Sequence, residues 1–390
     1  VARHAPRLLR ALLPGLVAGI LAAAPAWATQ YPLTVTDEAG RQVTIPAQPE
    51  RVALQDGRDV TLLALLDRQD PFQRLVIWNN IPSRDDPAMW AGLRQAWPAA
   101  GAIPDMGFGD DGQMDAERLL AARPQLVVAQ RRALDTMTES GVVQRLQNLH
   151  IPLLVIDSFN DPVGGVPRSV GLLGQALDRE DEARDYTTFY ADHLNRLTAA
   201  IQSVPQAERP SVFVEVLAGR QGVSQCCFTH GDVGWGKLVA AIGARNIGSE
   251  LLGQHPTGDV TMETAIERRP DVYVMTGTAR STPGTSLVPF GYGGEQAGVD
   301  AALARLAARP GFAQIGAARA GRVFGIWHSF YNHNYNIVGL EYLAKFAYPQ
   351  IFTDLDPMAT WHEILSRFTR LPDSPILFAA PAQSVAAAAQ

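Results

Sequence analysis

REDEARDYTTFYADHLNRLTAAIQ, residues 179–202, lies near the middle of a 390-residue chain. Its apolar positions Ala183, Tyr186, Tyr190, Leu194, Leu197 and Ile201 recur at spacings that gather side chains onto one stripe of an α-helix. Glu180, Asp181 and Glu182 stand in the opening turn, where the positive end of the helix dipole favours them, and Pro205 follows the end. The stretch therefore predicts one long helix with both ends marked. Strand and helix patterns alternate on either side of it, so it reads as a strut between two lobes.

Before the strut, residues 33–35 and 42–45 alternate apolar and polar around the turn Asp37-Glu38-Ala39-Gly40, a hairpin pattern that Pro46 and Pro49 terminate. A buried strand begins at Arg51-Val52-Ala53-Leu54. Helical patterns at 60–66, 114–122 and 142–149 then alternate with apolar runs at 75–77, 126–129 and 153–156. After the strut, strands are predicted at 211–216, 272–275 and 322–326, and helices at 237–242, 337–346 and 360–368. This alternation predicts an α/β fold of two lobes, each a parallel-type sheet covered by helices, joined by the one long helix. The expected boundaries are an N-terminal lobe at 29–178, the inter-lobe helix at 179–204 and a C-terminal lobe at 205–378. The low-complexity end AAPAQSVAAAAQ, 379–390, is expected to be a disordered tail. Ligands of such sheets gather beyond the carboxyl ends of the strands, which directs attention to 55–58, 78–90, 130–132 and 157–159.

The composition, 47% hydrophobic and 18% charged, is ordinary for a globular protein and suffices for two cores. The first 28 residues differ. Arg3, His4, Arg7 and Arg10 precede an apolar run at 11–24, and Ala26-Trp27-Ala28 has the shape of a cleavage site. This predicts a secretory signal peptide at 1–28, since the run falls short of the ~20 residues that span a bilayer. No cysteine follows the run, so no lipid anchor is expected at the cleavage site and the mature protein is expected free in the periplasm. Losing Arg3, Arg7 and Arg10 moves the formal charge from −6 to −9, which argues against nucleic-acid binding. The two cysteines, Cys226 and Cys227, are adjacent. Buried thiols, a vicinal disulfide and soft metal ligands all remain open, although no CxxC spacing supports the last.

An internal repeat links the halves. Glu117 stands seven residues before Pro124 in MDAERLLAARPQLVVA, and Glu263 seven before Pro270 in TMETAIERRPDVYVMT, the two glutamates being 146 residues apart. Each opens a helix leading into a buried strand. A glutamate in a first turn suits the helix dipole, and a duplicated position suggests a duplicated role.

The opening VTDEAGRQVTIPAQPERVAL (35–54) and the later WHSFYNHNYNIVGLEYLAKFAYPQIFTDLDP (327–357) resemble the periplasmic substrate-binding proteins of iron-siderophore, haem and cobalamin ABC importers, especially the metal-chelate branch. The resemblance implies a receptor that is not an enzyme, has no resident cofactor, works as a monomer and holds its ligand between the lobes. It implies that Glu117 and Glu263 dock into arginine pockets of the inner-membrane permease. An iron(III)-siderophore-type chelate is the expected cargo. Haem, cobalamin, a nickel or cobalt chelate, molybdate and a directly coordinated ion are the other cargo readings, and a periplasmic enzyme and a sensor on the same scaffold are the alternatives to an importer receptor.

Candidate ligand contacts in the first lobe are Arg58, Trp78, Arg84, Trp90, Arg131 and Arg132, because guanidinium groups and aromatic plates suit an anionic, flat or catechol-rich chelate. In the second lobe they are His328, Tyr331, His333 and Tyr335, at and just after the loop that follows the last strand. These can hydrogen-bond a chelate, and His328 and His333 are possible metal ligands. Each of these residues equally suits a solvated surface or a core. The first lobe offers no histidine before His150, which disfavours a bare-ion site. GDVGWGKL (231–238) nearly spells a phosphate loop, but Leu238 replaces its Ser or Thr. In the resembled family this glycine-rich turn opens a helix, placing Trp235 toward the cleft. GxSxG and HExxH motifs, which would suggest an enzyme, are absent from the sequence.

Overall fold

The central stretch forms one helix, Glu180–Ile201, in a computed structural model that describes residues 1–2, 29–107, 115–223, 225–280 and 285–382. Its buried face consists of Ala183, Tyr186, Phe189, Tyr190, His193, Leu197 and Ile201. Leu194 is only half-buried, because the stripe turns to include Phe189 and His193, whose Nδ1 lies 2.7 Å from Glu341 Oε1. Against the N-terminal lobe the helix packs on Pro162–Leu177. A Cβ added to Gly174 would stand 2.5 Å from the Ala183 Cβ, so this crossing requires glycine. Toward the C-terminal lobe, Tyr186 donates to the Asn334 carbonyl at 2.6 Å and Tyr190 to Asn336 Oδ1 at 2.8 Å.

That contact extends into a buried seam. Asn336 Nδ2 donates to the Pro162 carbonyl (2.8 Å), Asn334 Nδ2 to Thr61 Oγ1 (2.9 Å), and Tyr335 Oη to the Thr61 carbonyl (2.8 Å). Buried polar groups persist only when partnered, and here the partners come from opposite lobes.

The N-terminal sheet is parallel throughout, in the spatial order Leu75–Trp78, Val52–Leu54, Leu126–Gln130, Leu153–Ile156. The β-branched runs that compose it are almost wholly buried, as expected of strands covered on both faces. The predicted hairpin forms as Leu33–Thr36 against Gln42–Ile45. Asp37 ties it to the sheet by accepting from Arg41 and from the Val155 N–H.

The C-terminal sheet runs Ala379–Pro381, Val323–Trp327, Val272–Gly277, Ser211–Glu215, Arg245–Asn246, parallel except for its first member. That edge strand corrects the expectation of a disordered tail from 379. Ala379–Pro381 pairs with Phe324–Ile326, because an unpaired edge of Val323–Trp327 would leave its backbone groups unsatisfied. Residues 383–390, the expected signal peptide from residue 3 to residue 28, and Met114 lie outside the described residues. Among the described residues no helix is long and apolar enough to cross a membrane.

Candidate ligand-binding site

A cavity of about 250 Å³ opens between the lobes. The N-terminal lobe contributes Arg58, Thr61, Asp85, Asp86 and Met89, and the C-terminal lobe Arg280, Trp327, His328, Tyr331 and His333 among others. Strand ends and the loops behind them supply most of this wall, as a parallel sheet dictates.

Arg58 follows the Val52–Leu54 strand and is held from below by Asp56, which accepts from its backbone N (3.0 Å), Nε (2.9 Å) and a terminal nitrogen (2.8 Å). Arg132 binds the same carboxylate. Burial opposes ionisation of Asp56, but the two guanidiniums outweigh it and hold the carboxyl well below the usual range. Asp59, beneath them, accepts from Gln130 Nε2 at 2.8 and 2.9 Å, and burial together with the Asp56 charge pushes it up to about 7.

On the other wall His328 Nδ1 lies 2.9 Å from Thr276 Oγ1 on the neighbouring strand. Burial, with the charges of nearby cations, keeps this imidazole well below its ordinary value and therefore neutral. His333 accepts the Tyr335 N–H on Nδ1 (3.1 Å), leaving Nε2–H as its free donor, and burial pushes it down to about 3. Tyr331 packs edge-on against Phe159 of the opposite lobe (5.7 Å) and against His230 (5.5 Å). Close by, the Gly234 N–H donates to the Phe159 carbonyl at 2.8 Å. Gly234 has φ 46°, and a Cβ there would lie 2.6 Å from His230 Nδ1, so this cross-lobe contact needs glycine.

Among the described residues an ion pair spans the cavity, joining Arg280 of the C-terminal lobe and Asp85 of the N-terminal lobe 3.4 Å apart. Arg280 Nε and Trp327 Nε1 are buried donors without a hydrogen-bond partner among the described residues. Asp86, half-buried beside Asp85, caps the helix Pro87–Ala96 by accepting from the Met89 N–H. Burial, partly offset by that hydrogen bond and reinforced by Asp85, pushes its carboxyl up to about 7.

Of the residues singled out in the sequence, Arg58, His328, Tyr331 and His333 are thus brought together. The others lie off the cavity wall. Trp78 is wholly buried in a cluster with Phe72 and the half-buried Trp90. Trp235, instead of turning to the cleft, is buried at the start of the helix Trp235–Ala241, and the Tyr335 hydroxyl is spent on Thr61. Arg84 binds Asn79 (2.6 Å), Arg132 reinforces Asp56 and Arg131 is exposed. Trp327, which opens the loop expected to face the cleft, also lines the cavity, and Asp85, Asp86 and Met89 fall within the stretch 78–90 without having been named individually, whereas Arg280 was missed. The rule about strand ends would have found Arg280, which stands just past Val272–Gly277.

Glu117 and Glu263 are both exposed, each in the first turn of a helix capped by a side chain, Asp115 for Ala116–Ala121 and Thr261 for Met262–Arg268. The repeat extends to backbone detail: Arg123 and Arg269, each preceding the matched proline, both have φ 46°.

Comparison with known proteins agrees with this architecture. A Bacillus subtilis protein described as an uncharacterized ABC transporter substrate-binding lipoprotein, YvrC, is 19% identical over 330 residues, covering 83% of this chain and 88% of its own length. The TroA-like periplasmic binding protein FepB from Veillonella parvula superposes with a TM-score of 0.78 at 22% identity, over 90% of this chain and all of that one. The Haemophilus influenzae molybdate periplasmic binding protein MolA, bound to molybdate, gives 0.64 at 17% identity, over 88% of this chain and 99% of its own. These likenesses show the fold. The family model described as periplasmic binding protein matches residues 92–328, more than half of the chain. With its two lobes, its single connecting helix and a cavity between them, this chain belongs to the periplasmic binding protein family.

Proposed function

We propose that the protein is the solute-binding component of an ABC importer, that it captures an iron(III)-siderophore-type chelate between its lobes, and that it presents the loaded lobes to an inner-membrane permease through Glu117 and Glu263. The observation carrying the ligand class is the pair of guanidiniums, Arg58 and Arg280, that enter one cavity from opposite lobes alongside Tyr331 and Trp327. Guanidinium groups match the oxygens of an anionic chelate and rings stack on its plates. Among the described residues no three His, Cys, Asp or Glu ligand atoms converge at this cavity, which favours a chelate over a bare ion. Two carboxylates on separate lobes can report lobe spacing to a symmetric partner.

The test is native mass spectrometry with metal analysis on protein purified from its own cell envelope. Iron together with an organic chelator supports the proposal, and metal without an organic partner moves it to direct coordination by His328 and His333. The cavity volume of about 250 Å³ favours a second reading, a compact oxyanion, since typical small-molecule sites run to roughly 300–1,000 Å³. An oxyanion retained without iron would select it.

A further inference from the structure

A second cluster lies within the C-terminal lobe, and none of its residues lines the inter-lobe cavity. Glu215 closes the strand Ser211–Glu215. Arg309 donates to both of its oxygens at 2.6 Å, and Tyr273, on the adjacent strand, donates to Oε2 at 2.8 Å. The Glu215 and Arg309 side chains are each 3% exposed. The same Tyr273 hydroxyl lies 3.4 Å from Cys227 Sγ and 3.8 Å from Cys226 Sγ, and the two cysteines are joined as a vicinal disulfide. Among the described residues, Glu215, Cys226 and Cys227 are the group whose potential ligand atoms converge, all within 4.8 Å of one another. Cys226 and Arg309 border an open cavity of about 610 Å³ that also carries Gln225, Asp259 and Glu263, so the disulfide is open to solvent on its Cys226 side, while Cys227 is buried.

We propose that reduction of the Cys226–Cys227 disulfide creates a site for one thiophilic divalent cation of the zinc or cadmium class, ligated by both thiolates and the Glu215 carboxylate. The reductant is a dithiol. It supplies two electrons and two protons, the S–S bond breaks, two thiols form, and the dithiol closes to its own disulfide. The cation then displaces both thiol protons to solvent while two metal–sulfur bonds and one metal–oxygen bond form. Charge balance selects the valence. Glu215 and Arg309 already sum to zero, two thiolates cancel a divalent ion, and a buried site tolerates no net charge cheaply. Metal–sulfur bonds of about 2.3 Å at a tetrahedral angle place two ligand sulfurs roughly 3.8 Å apart, so the sulfurs, bonded in the oxidised chain, move apart once the S–S bond breaks, and the Glu215 carboxylate already lies within 4.8 Å of both. Thiolate ligands exclude the hard cations calcium and magnesium.

The test uses the full mature chain, reduced with a dithiol, desalted, assayed for two free thiols and titrated with cadmium. One equivalent is expected to bind with a thiolate-to-metal charge-transfer band in the ultraviolet, while the oxidised chain binds none at the same concentration. Cys226→Ser/Cys227→Ser, checked for folding by circular dichroism, should lose the band. Glu215→Gln should weaken binding by about tenfold, the scale on which a metal centre responds to altered ligation. A fully reduced, folded chain with no band would overturn the proposal. So would unchanged affinity in the double serine variant, or a disulfide that no dithiol opens while the chain stays folded.

Discussion

Replacing Asp85 by Asn and Arg280 by Gln should move ligand affinity in opposite directions, although both changes break the same ion pair. The two groups are 3.4 Å apart, with side chains about one-third exposed (38% for Arg280, 32% for Asp85). Solvent screens such a pair, so its strength is at most about 1 kcal/mol. A guanidinium hydrogen-bonded to an anionic ligand contributes more, roughly 1.5–3 kcal/mol. Asp85→Asn releases Arg280 from a competing carboxylate and removes a negative charge from the wall, so an anionic chelate should bind up to about fivefold more tightly. Arg280→Gln removes the ligand's own partner and should weaken binding by about 10- to 150-fold. Quenching of tryptophan fluorescence by a ferric catecholate siderophore at physiological salt, read largely from Trp327 in the cavity wall, reports both changes, and calorimetry checks them. Equal weakening by both substitutions would mean that the pair acts as a clasp between lobes and that Arg280 does not meet the ligand. No change in either would remove this cavity from consideration as the binding site.

Asp86, pushed up to about 7, passes from mostly neutral to mostly ionised between pH 6 and 8. Affinity for an anionic chelate should therefore fall as pH rises through that window, and Asp86→Asn should shrink that fall to the part that Asp59, also pushed up to about 7, contributes. His230 and His333 are both pushed down to about 3 by burial, so the unfolded chain binds more protons below the ordinary histidine value of 6.5. Their contribution to stability is thus complete above about pH 6.5 and lost as pH falls toward 3, which denaturant midpoints measured across that range should reveal. Asn336→Ala leaves the Tyr190 hydroxyl buried without its acceptor and removes the second donor from the Pro162 carbonyl, which keeps its helical bond, and should cost about 1–3 kcal/mol in urea unfolding; a loss below about 0.5 kcal/mol would show the seam to be dispensable. Charge reversal at both Glu117 and Glu263 should abolish uptake while leaving ligand affinity intact, and lost affinity would instead place these residues at the ligand.

Most of the fold was legible because its signals are local. The strut announced itself by spacing, and the buried strands by short β-branched runs between helical patterns. Pro162–Leu177 escaped because Pro167 and four glycines blur its helical period, although its buried face is continuous. The site was legible only in part. Arg58 and the His328–His333 loop were found because strand order places such segments at the cleft. Trp78, Trp235 and Tyr335 sit at equally suggestive positions, but spacing does not say whether a large ring at a strand end or helix start turns to the ligand or into the core, and here all three are wholly buried. Asp86 caps the helix Pro87–Ala96, and nothing local in the sequence reveals that Asp85 beside it faces a guanidinium some 195 residues away.

The seam joining Tyr186 and Tyr190 to Asn334 and Asn336 has a kinetic meaning. Its hydrogen bonds join protein groups alone and take no partner from a ligand, so holding the lobes in register costs the receptor little conformational entropy on capture. Association can then proceed near the rate of encounter, and differences in affinity among cargoes reside in how long each stays. Release becomes the slow and costly direction. Work to loosen the grip has to come from the transporter, through the same rigid frame that made capture easy.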